Sequence, residues 1–313
     1  MTDSSPTSSS DQVAYHGIIP PMVTPLKDYD TIDEAGCERL VTHQLEGGVH
    51  GLFILGTTGE APSLSYRLRE KFIHQVCKQV NKQIPVLVGI TDPAFVETLR
   101  LAEMAAEAGA DAVVLSMPYY FPAGQTELTQ YIERIVPRLP LPVMLYNMPS
   151  LTKVWFKIES LKRLVEMPQI VGIKDSGDDI DYFAQLMQFK KTRPDWSILI
   201  GPEHLLVESI ALGGHGGVNG GANLFPKLFS RAYQAAVDGD AALTNAYQKE
   251  IEKLQAIYEI GKYASRRIKA LKSGLSLGGI CEDGLAEPFN AFHQPEREKV
   301  QEVINTLDRK LVL

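Results

Sequence analysis

Ile170-Val171-Gly172-Ile173-Lys174-Asp175-Ser176 is an apolar run closed by a lysine, with Pro168 before it and Gly177 after it. Such punctuation marks a short strand, and the lack of alternation marks a parallel strand covered on both faces. Charged residues are rarely buried there unpaired. Burial disfavours the ammonium form and lowers a lysine pKa from its reference near ~10.4, leaving a neutral amine able to attack a carbonyl carbon. That is the first step of Schiff-base chemistry. Two plainer readings of Lys174 stand beside it: the side chain snorkels to solvent, or it pairs with Asp175.

Upstream, the run Leu141-Pro142-Val143-Met144-Leu145-Tyr146-Asn147-Met148-Pro149 carries a tyrosine at the corresponding place. If consecutive parallel strands pair, Tyr146 and Lys174 emerge at one sheet edge roughly 5 Å apart. A phenol beside an amine can carry protons through carbinolamine formation and breakdown. The alternative is a core tyrosine whose hydroxyl simply finds a partner.

With these two, apolar runs occupy 18–23, 51–55, 85–90, 112–117, 142–147, 170–174, 197–200 and 216–219. Their starts lie about 19 to 34 residues apart, the spacing of a βα unit, and the pieces between them have helical periodicity. Leu99, Ala102, Met104, Ala105 and Ala108 share one such face, and Gly109 ends that segment. Eight units in series favour a closed (β/α)8 TIM barrel of the α/β class over an open sheet. Residues 1–12 are polar and of low complexity and read as a disordered tail. The barrel is expected over 13–240. Residues 241–313, with helices expected at 243–260, 264–274 and 295–311, read as a C-terminal helical extension of the same domain, since no Pro/Gly/Ser-rich linker precedes them.

With 313 residues, 44% hydrophobic, 22% charged and a net charge of −7, the chain lacks the clustered basic surface that nucleic acid requires. No apolar stretch approaches the roughly 20 residues of a membrane span. Cys37, Cys77 and Cys281 are widely separated, and the seven histidines form no ligand pair, so neither a disulfide framework nor a metal site is expected. A cytoplasmic setting fits, with no cofactor beyond a covalent imine.

Barrel active sites lie at the carboxyl ends of the strands. Gly56-Thr57-Thr58-Gly59-Glu60 offers two hydroxyls and free backbone N–H groups that suit a small carboxylate. Pro118-Tyr119-Tyr120-Phe121-Pro122 supplies phenols, and the glycine-rich 213–221 stretch, with Val218 and Asn219, offers exposed amides. Singly, these are equally a turn, a packed loop and a phosphate site. Together they set a lysine, phenols and a carboxylate cradle on one edge.

In order and spacing, Gly56-Thr57-Thr58-Gly59-Glu60, Pro118-Tyr119-Tyr120, Tyr146-Asn147-Met148-Pro149 and Gly172-Ile173-Lys174-Asp175 resemble the dihydrodipicolinate synthase/N-acetylneuraminate lyase superfamily over nearly the whole chain from Gly17. The resemblance implies a barrel with a helical extension, a homotetramer built as a dimer of dimers, and an imine between Lys174 and pyruvate or another 2-oxo acid. It makes Tyr146 the acid/base. It gives Thr57 and Thr58, on the loop opened by Gly56, to the carboxylate, and Thr57 to a proton relay with Tyr146 and Tyr120, the latter offered across a tight dimer interface.

Leu151 stands where dihydrodipicolinate synthases carry an arginine for the carboxylate of aspartate semialdehyde. A leucine cannot make that bidentate contact, though Lys153 nearby could partly substitute. Glu203, in Gly201-Pro202-Glu203-His204, falls where sialic acid lyases hold substrate hydroxyls with an aspartate, or else caps the following helix. Lys174-Asp175-Ser176-Gly177-Asp178 also resembles the loop of 4-hydroxy-2-oxoglutarate and 2-keto-3-deoxy sugar-acid aldolases. The expected function is a lyase that condenses pyruvate with, or releases it from, a hydroxylated 2-oxo acid. A dihydrodipicolinate synthase, a sugar-acid dehydratase and a non-catalytic 2-oxo acid sensor remain as alternatives.

Overall fold

The computed structural model describes residues 13–313; the tail expected over 1–12 lies outside the described residues. Eight parallel strands form the sheet: β1 Gly17–Ile18, β2 Leu52–Ile54, β3 Val86–Gly89, β4 Ala112–Leu115, β5 Val143–Asn147, β6 Ile170–Asp175, β7 Ser197–Ile200 and β8 Gly216–Gly217. They run in sequence order from β2 to β8, and β8 returns to pair with β1. The ring closes between β1 and β2, where Met22 N–H donates to Phe53 O at 2.8 Å and Phe53 N–H to Pro20 O at 3.0 Å. The fold is thus a (β/α)8 barrel with a C-terminal helical extension. The first strand is shorter than the 18–23 expected because Pro20 and Pro21 have no N–H to give a ladder.

The outer helices are α1 Glu34–Glu46, α2 Tyr66–Val80, α3 Phe95–Glu107, α4 Gln125–Ile135, α5 Ile158–Leu164, α6 Ile180–Leu186, α7 Leu206–Ala211 and α8 Pro226–Val237. Asp33 caps α1 by accepting from Gly36 N–H, and Ser65 caps α2 by accepting from Leu68 N–H. The strands' outward residues, such as Val113, Leu145, Ile173 and Ile198, join the helices in one large core. A second, smaller cluster fills the barrel interior, with Ile19, Phe53, Leu87, Val114, Met144, Leu199 and Val218.

β6 carries an irregularity that fixes its inward face. Val143 pairs with Ile170 but Met144 pairs with Gly172, so Val171 is an extra residue in the ladder. Gly172 permits it, because a Cβ there would lie 2.1 Å from the Ser197 carbonyl oxygen.

Beyond the barrel come α9 Ala241–Leu254, α10 Arg266–Leu277 and α11 Gln294–Asn305. Helix α9 ends earlier than expected, in a 3-10 turn at Gln255–Glu259. The last expected helix breaks after Asn305, and Asp308 caps a separate turn at Arg309–Val312. An antiparallel hairpin, Leu26–Asp28 with Thr31–Ile32, follows β1, and Leu26 bridges to Gly284 of the extension. One tie between extension and barrel is a fully buried ion pair of Lys272 on α10 with Glu60 after β2. Each member also reaches the backbone of the extension: Lys272 Nζ donates to Gly284 O at 2.6 Å, and Glu60 Oε2 accepts from Ala286 N–H at 2.9 Å.

Removing one member of a buried pair strands the other charge and costs about 3–5 kcal/mol, whereas replacing both is far milder. Lys272→Met is therefore expected to lower stability by about that amount, and the Glu60→Gln/Lys272→Met double variant by clearly less. Chemical denaturation checks this; additive losses in the two single variants and the double would show that the charges do not act as a pair.

Candidate active site

The register sets Tyr146 directly opposite Lys174. Lys174 is 5% exposed and Tyr146 6%. Lys174 Nζ lies 4.0 Å from the centroid of the Tyr146 ring and 5.1 Å from that of Phe53, so two aromatic rings flank the nitrogen. Phe53 meets Tyr146 edge to face at 6.1 Å. The Tyr146 hydroxyl shares a hydrogen bond of 3.3 Å with Thr57 Oγ1. Three of the four residues expected to carry the chemistry thus come together from β2, β5 and β6.

Asp175 takes no part in this cluster. Strand alternation turns it to the outside of the barrel, where Asn147 Nδ2 donates to its Oδ1 at 2.7 Å and Gly177 N–H does so at 3.1 Å. Asn147 Oδ1 in turn accepts from Phe156 N–H at 3.1 Å, so this outer pair fixes the segments following β5 and β6. Burial pushes the Asp175 carboxyl up to about 6, against the two hydrogen bonds that favour its charge. Asp175 is thus bonded to Asn147 and Gly177 rather than paired with Lys174.

The loop after β2 is held in an unusual backbone. Leu55 and Glu60 have φ of +56° and +57°. Gly56 is required where the loop crosses Phe53, since a Cβ would approach its ring to 2.6 Å. Thr24 Oγ1 donates to Gly59 O at 2.7 Å, and the Glu60–Lys272 pair anchors the far end. Gly56 and Thr57 reach the wall of a cavity of about 270 Å³; Thr58 is half-buried beside it. The same wall includes Thr91, Ser116, Tyr119, Tyr146, Met148 and Leu151.

Several expected site residues lie elsewhere. Tyr120 is 85% exposed, with φ +89° and its ring edge-on to Phe121. Within one chain Tyr119, not Tyr120, completes the cavity wall. Glu203 is buried away from that wall, with Oε1 accepting from Gly221 N–H at 2.6 Å and from the Tyr258 hydroxyl at 2.7 Å. The position first read as a contact for substrate hydroxyls is therefore corrected to an internal strut, which desolvation also drives toward its neutral form. Asn219 is buried, and its Nδ2 donates to Gly201 O at 3.0 Å. Val218 packs in the barrel interior with Tyr146. Among the described residues no group of three His, Cys, Asp or Glu side chains could hold a metal ion, and no helix is long and apolar enough to cross a membrane.

A (β/α)8 barrel with a lysine, a phenol and a threonine converging at its mouth defines a class of site. The sequence profile of the Dihydrodipicolinate synthetase family matches residues 14–307, and the chain belongs to that family. The structure of dihydrodipicolinate synthase from Bacteroides thetaiotaomicron is 47% identical, with a TM-score of 0.91 over 95% of this chain and 100% of that one. YagE of Escherichia coli K12, solved in complex with pyruvate, is 27% identical, with a TM-score of 0.89 over 94% of this chain and 98% of its own. The probable 2-dehydro-3-deoxy-D-pentonate aldolase YjhH of the same organism is 33% identical, over 79% of this chain and 82% of that protein.

The Asp175 carboxyl makes a prediction about pH. Its folded pKa is raised, so the native state binds the proton more tightly than the unfolded chain, and stability falls as pH rises from about 4 through about 6. Asp175→Asn removes that slope. The difference in stability between the two proteins should change across this window by at most about 3 kcal/mol in denaturant titrations, and a parallel pair of curves would refute the assignment.

Proposed function

We propose that the protein is a class I lyase that forms an imine between Lys174 and pyruvate and joins pyruvate to, or releases it from, a hydroxylated 2-oxo acid. The observation that carries this is the buried Lys174 amine lying on the Tyr146 ring, whose hydroxyl is bonded to Thr57. The amine adds to the 2-oxo carbon, water leaves, and the imine accepts the electron pair of the C3–C4 bond as it breaks or as C3 loses a proton. Tyr146 moves the protons, with Thr57 as its partner. Thr57 and Thr58, with the N–H groups of the Gly56 loop, take the carboxylate. The pyruvate complex of YagE supports the first half of this reading.

The second half rests on Leu151, which is 49% exposed on the cavity wall and offers no charge. Lys153 is a poor substitute, because its Nζ donates to Ser150 O at 2.6 Å within its own turn. The relative from Bacteroides favours the other reading, condensation with aspartate semialdehyde. A dehydratase would use the same imine and differ in product, and a sensor would bind without turnover. The exposed Tyr120 and Phe121 support an interface between copies, in keeping with a homotetramer.

Borohydride reduction in the presence of pyruvate is expected to leave a pyruvyl adduct on the peptide containing Lys174. Tyr146→Phe should fold normally and lose about 10²–10⁴-fold in kcat. An unmodified Lys174, or full activity in Lys174→Ala, would sink the mechanism.

Losing a charge-assisted hydrogen bond is worth roughly 1.5–3 kcal/mol, or one to two powers of ten in kcat/KM. Aspartate semialdehyde should accordingly be a poor substrate, and Leu151→Arg should improve it by about that factor. Efficient condensation by the unaltered protein, well above its cleavage of 2-keto-3-deoxy sugar acids and 4-hydroxy-2-oxoglutarate, would return the chain to dihydrodipicolinate synthesis.

A further inference from the structure

Four adjacent barrel strands each bring one side chain to the same level of the mouth. Gly89 stands opposite Val114, Val114 opposite Met144, and Tyr146 opposite Lys174. Carried two residues further, the same register sets Thr91 beside Ser116 and Ser116 beside Tyr146. The alternation that turns Tyr146 inward turns these two inward as well. The row therefore reads Thr91, Ser116, Tyr146, Lys174, and its first two members line the cavity together with Tyr146.

Both hydroxyls have capacity to spare. Ser116 N–H donates to Thr91 Oγ1 at 2.9 Å, which occupies one lone pair there and leaves the hydroxyl proton. Ser116 is 5% exposed, and its Oγ has no hydrogen-bond partner among the described residues. Facing the cavity, that hydroxyl is free to bond to whatever occupies it. No Asp, Glu, Lys, Arg or His is on the cavity wall itself, and Lys174, against the Tyr146 ring beside it, is taken up by the imine. Arg69, close to Tyr119, is already held by Asp92 at 3.2 Å, and Asp92 also accepts from the Tyr66 hydroxyl at 2.9 Å. A charged distal group would find no counter-charge on this wall, whereas a neutral hydroxyl would find two partners.

We propose that Thr91 and Ser116 form the subsite for the hydroxyl next to the aldehyde carbon, so that the enzyme selects neutral α-hydroxyaldehydes of the glycolaldehyde class. The inference deepens the imine reading and rests on it. With C2 of the substrate bonded to Lys174 and the C4 oxygen at Tyr146, Ser116 lies one strand spacing beyond, about 5 Å. A hydroxyl on C5, with its hydrogen bond, spans that distance. Cleavage breaks C3–C4: the C4 hydroxyl gives its proton to Tyr146, C4 leaves as the aldehyde, and the electron pair passes to the imine. The subsite holds C5 while this happens and takes no proton itself.

The test compares 4,5-dihydroxy-2-oxopentanoate, which releases glycolaldehyde, with 4-hydroxy-2-oxopentanoate, which releases acetaldehyde and lacks one hydroxyl. The unaltered protein is expected to prefer the first by about tenfold or more in kcat/KM, the effect of a hydrogen bond or two. Ser116→Ala and Thr91→Val should each cut that ratio severalfold, while Thr91→Ser, which keeps the hydroxyl, should retain it. A merely structural role would lower both rates and leave the ratio intact. Borohydride trapping of pyruvate on Lys174 is measured in each protein. Trapping with no preference in the unaltered protein, or with a preference surviving in both hydroxyl-deleting variants, overturns the subsite alone; absence of trapping in the unaltered protein removes the imine and the subsite with it.

Discussion

The geometry of the site depends on one extra residue in β6. Because strand side chains alternate, a ladder that ran without interruption from Val143–Ile170 would set Tyr146 opposite Ile173 and leave the lysine out of step. The bulge at Val171 advances β6 by one position, and Gly172 makes room for it against the Ser197 carbonyl. Lys174 is then carried inward onto the Tyr146 ring and Asp175 outward to Asn147. A lysine inside the barrel and a carboxyl in its outer wall follow from that single insertion.

Lys174 and Tyr146 were legible in the sequence because each ends a run of apolar residues, and neighbouring parallel strands in a closed sheet admit few registers. The barrel was legible for the same reason, from the repeated spacing of its strands. What escaped depends on partners far along the chain. Glu203 read as a substrate contact because nothing near it announces Tyr258, which reaches it from the extension at 2.7 Å. Tyr120, expected across a dimer interface, stands exposed with a positive φ, and within its own chain Tyr119 meets the cavity, a division that strand parity does not reach because it ends with β4. The two prolines that shorten β1 and the hairpin over Leu26–Asp28 and Thr31–Ile32 were available in the sequence but lay outside the strand-and-helix rhythm.

Thr91 and Ser116 were missed differently. They are ordinary hydroxyl residues just past two apolar runs, and only the register across β3, β4 and β5 places them level with Tyr146. Such positions are invisible to motif reading, since no single segment contains them. They come from counting across the sheet.

The buried contact between Glu60 and Lys272 makes the extension part of the mouth although none of its residues reaches the cavity wall. Glu60 closes the loop that Gly56 opens, and its left-handed backbone is kept in place from the far side by a residue more than two hundred positions later. Loop order and extension order are therefore one cooperative quantity, so a carboxylate that settles the loop also protects the amides of α10 from exchange with solvent. The same bond limits modular exchange: a hybrid that takes residues 241–313 from a relative inherits a working loop only if the incoming helix presents a cation at the end of the same reach.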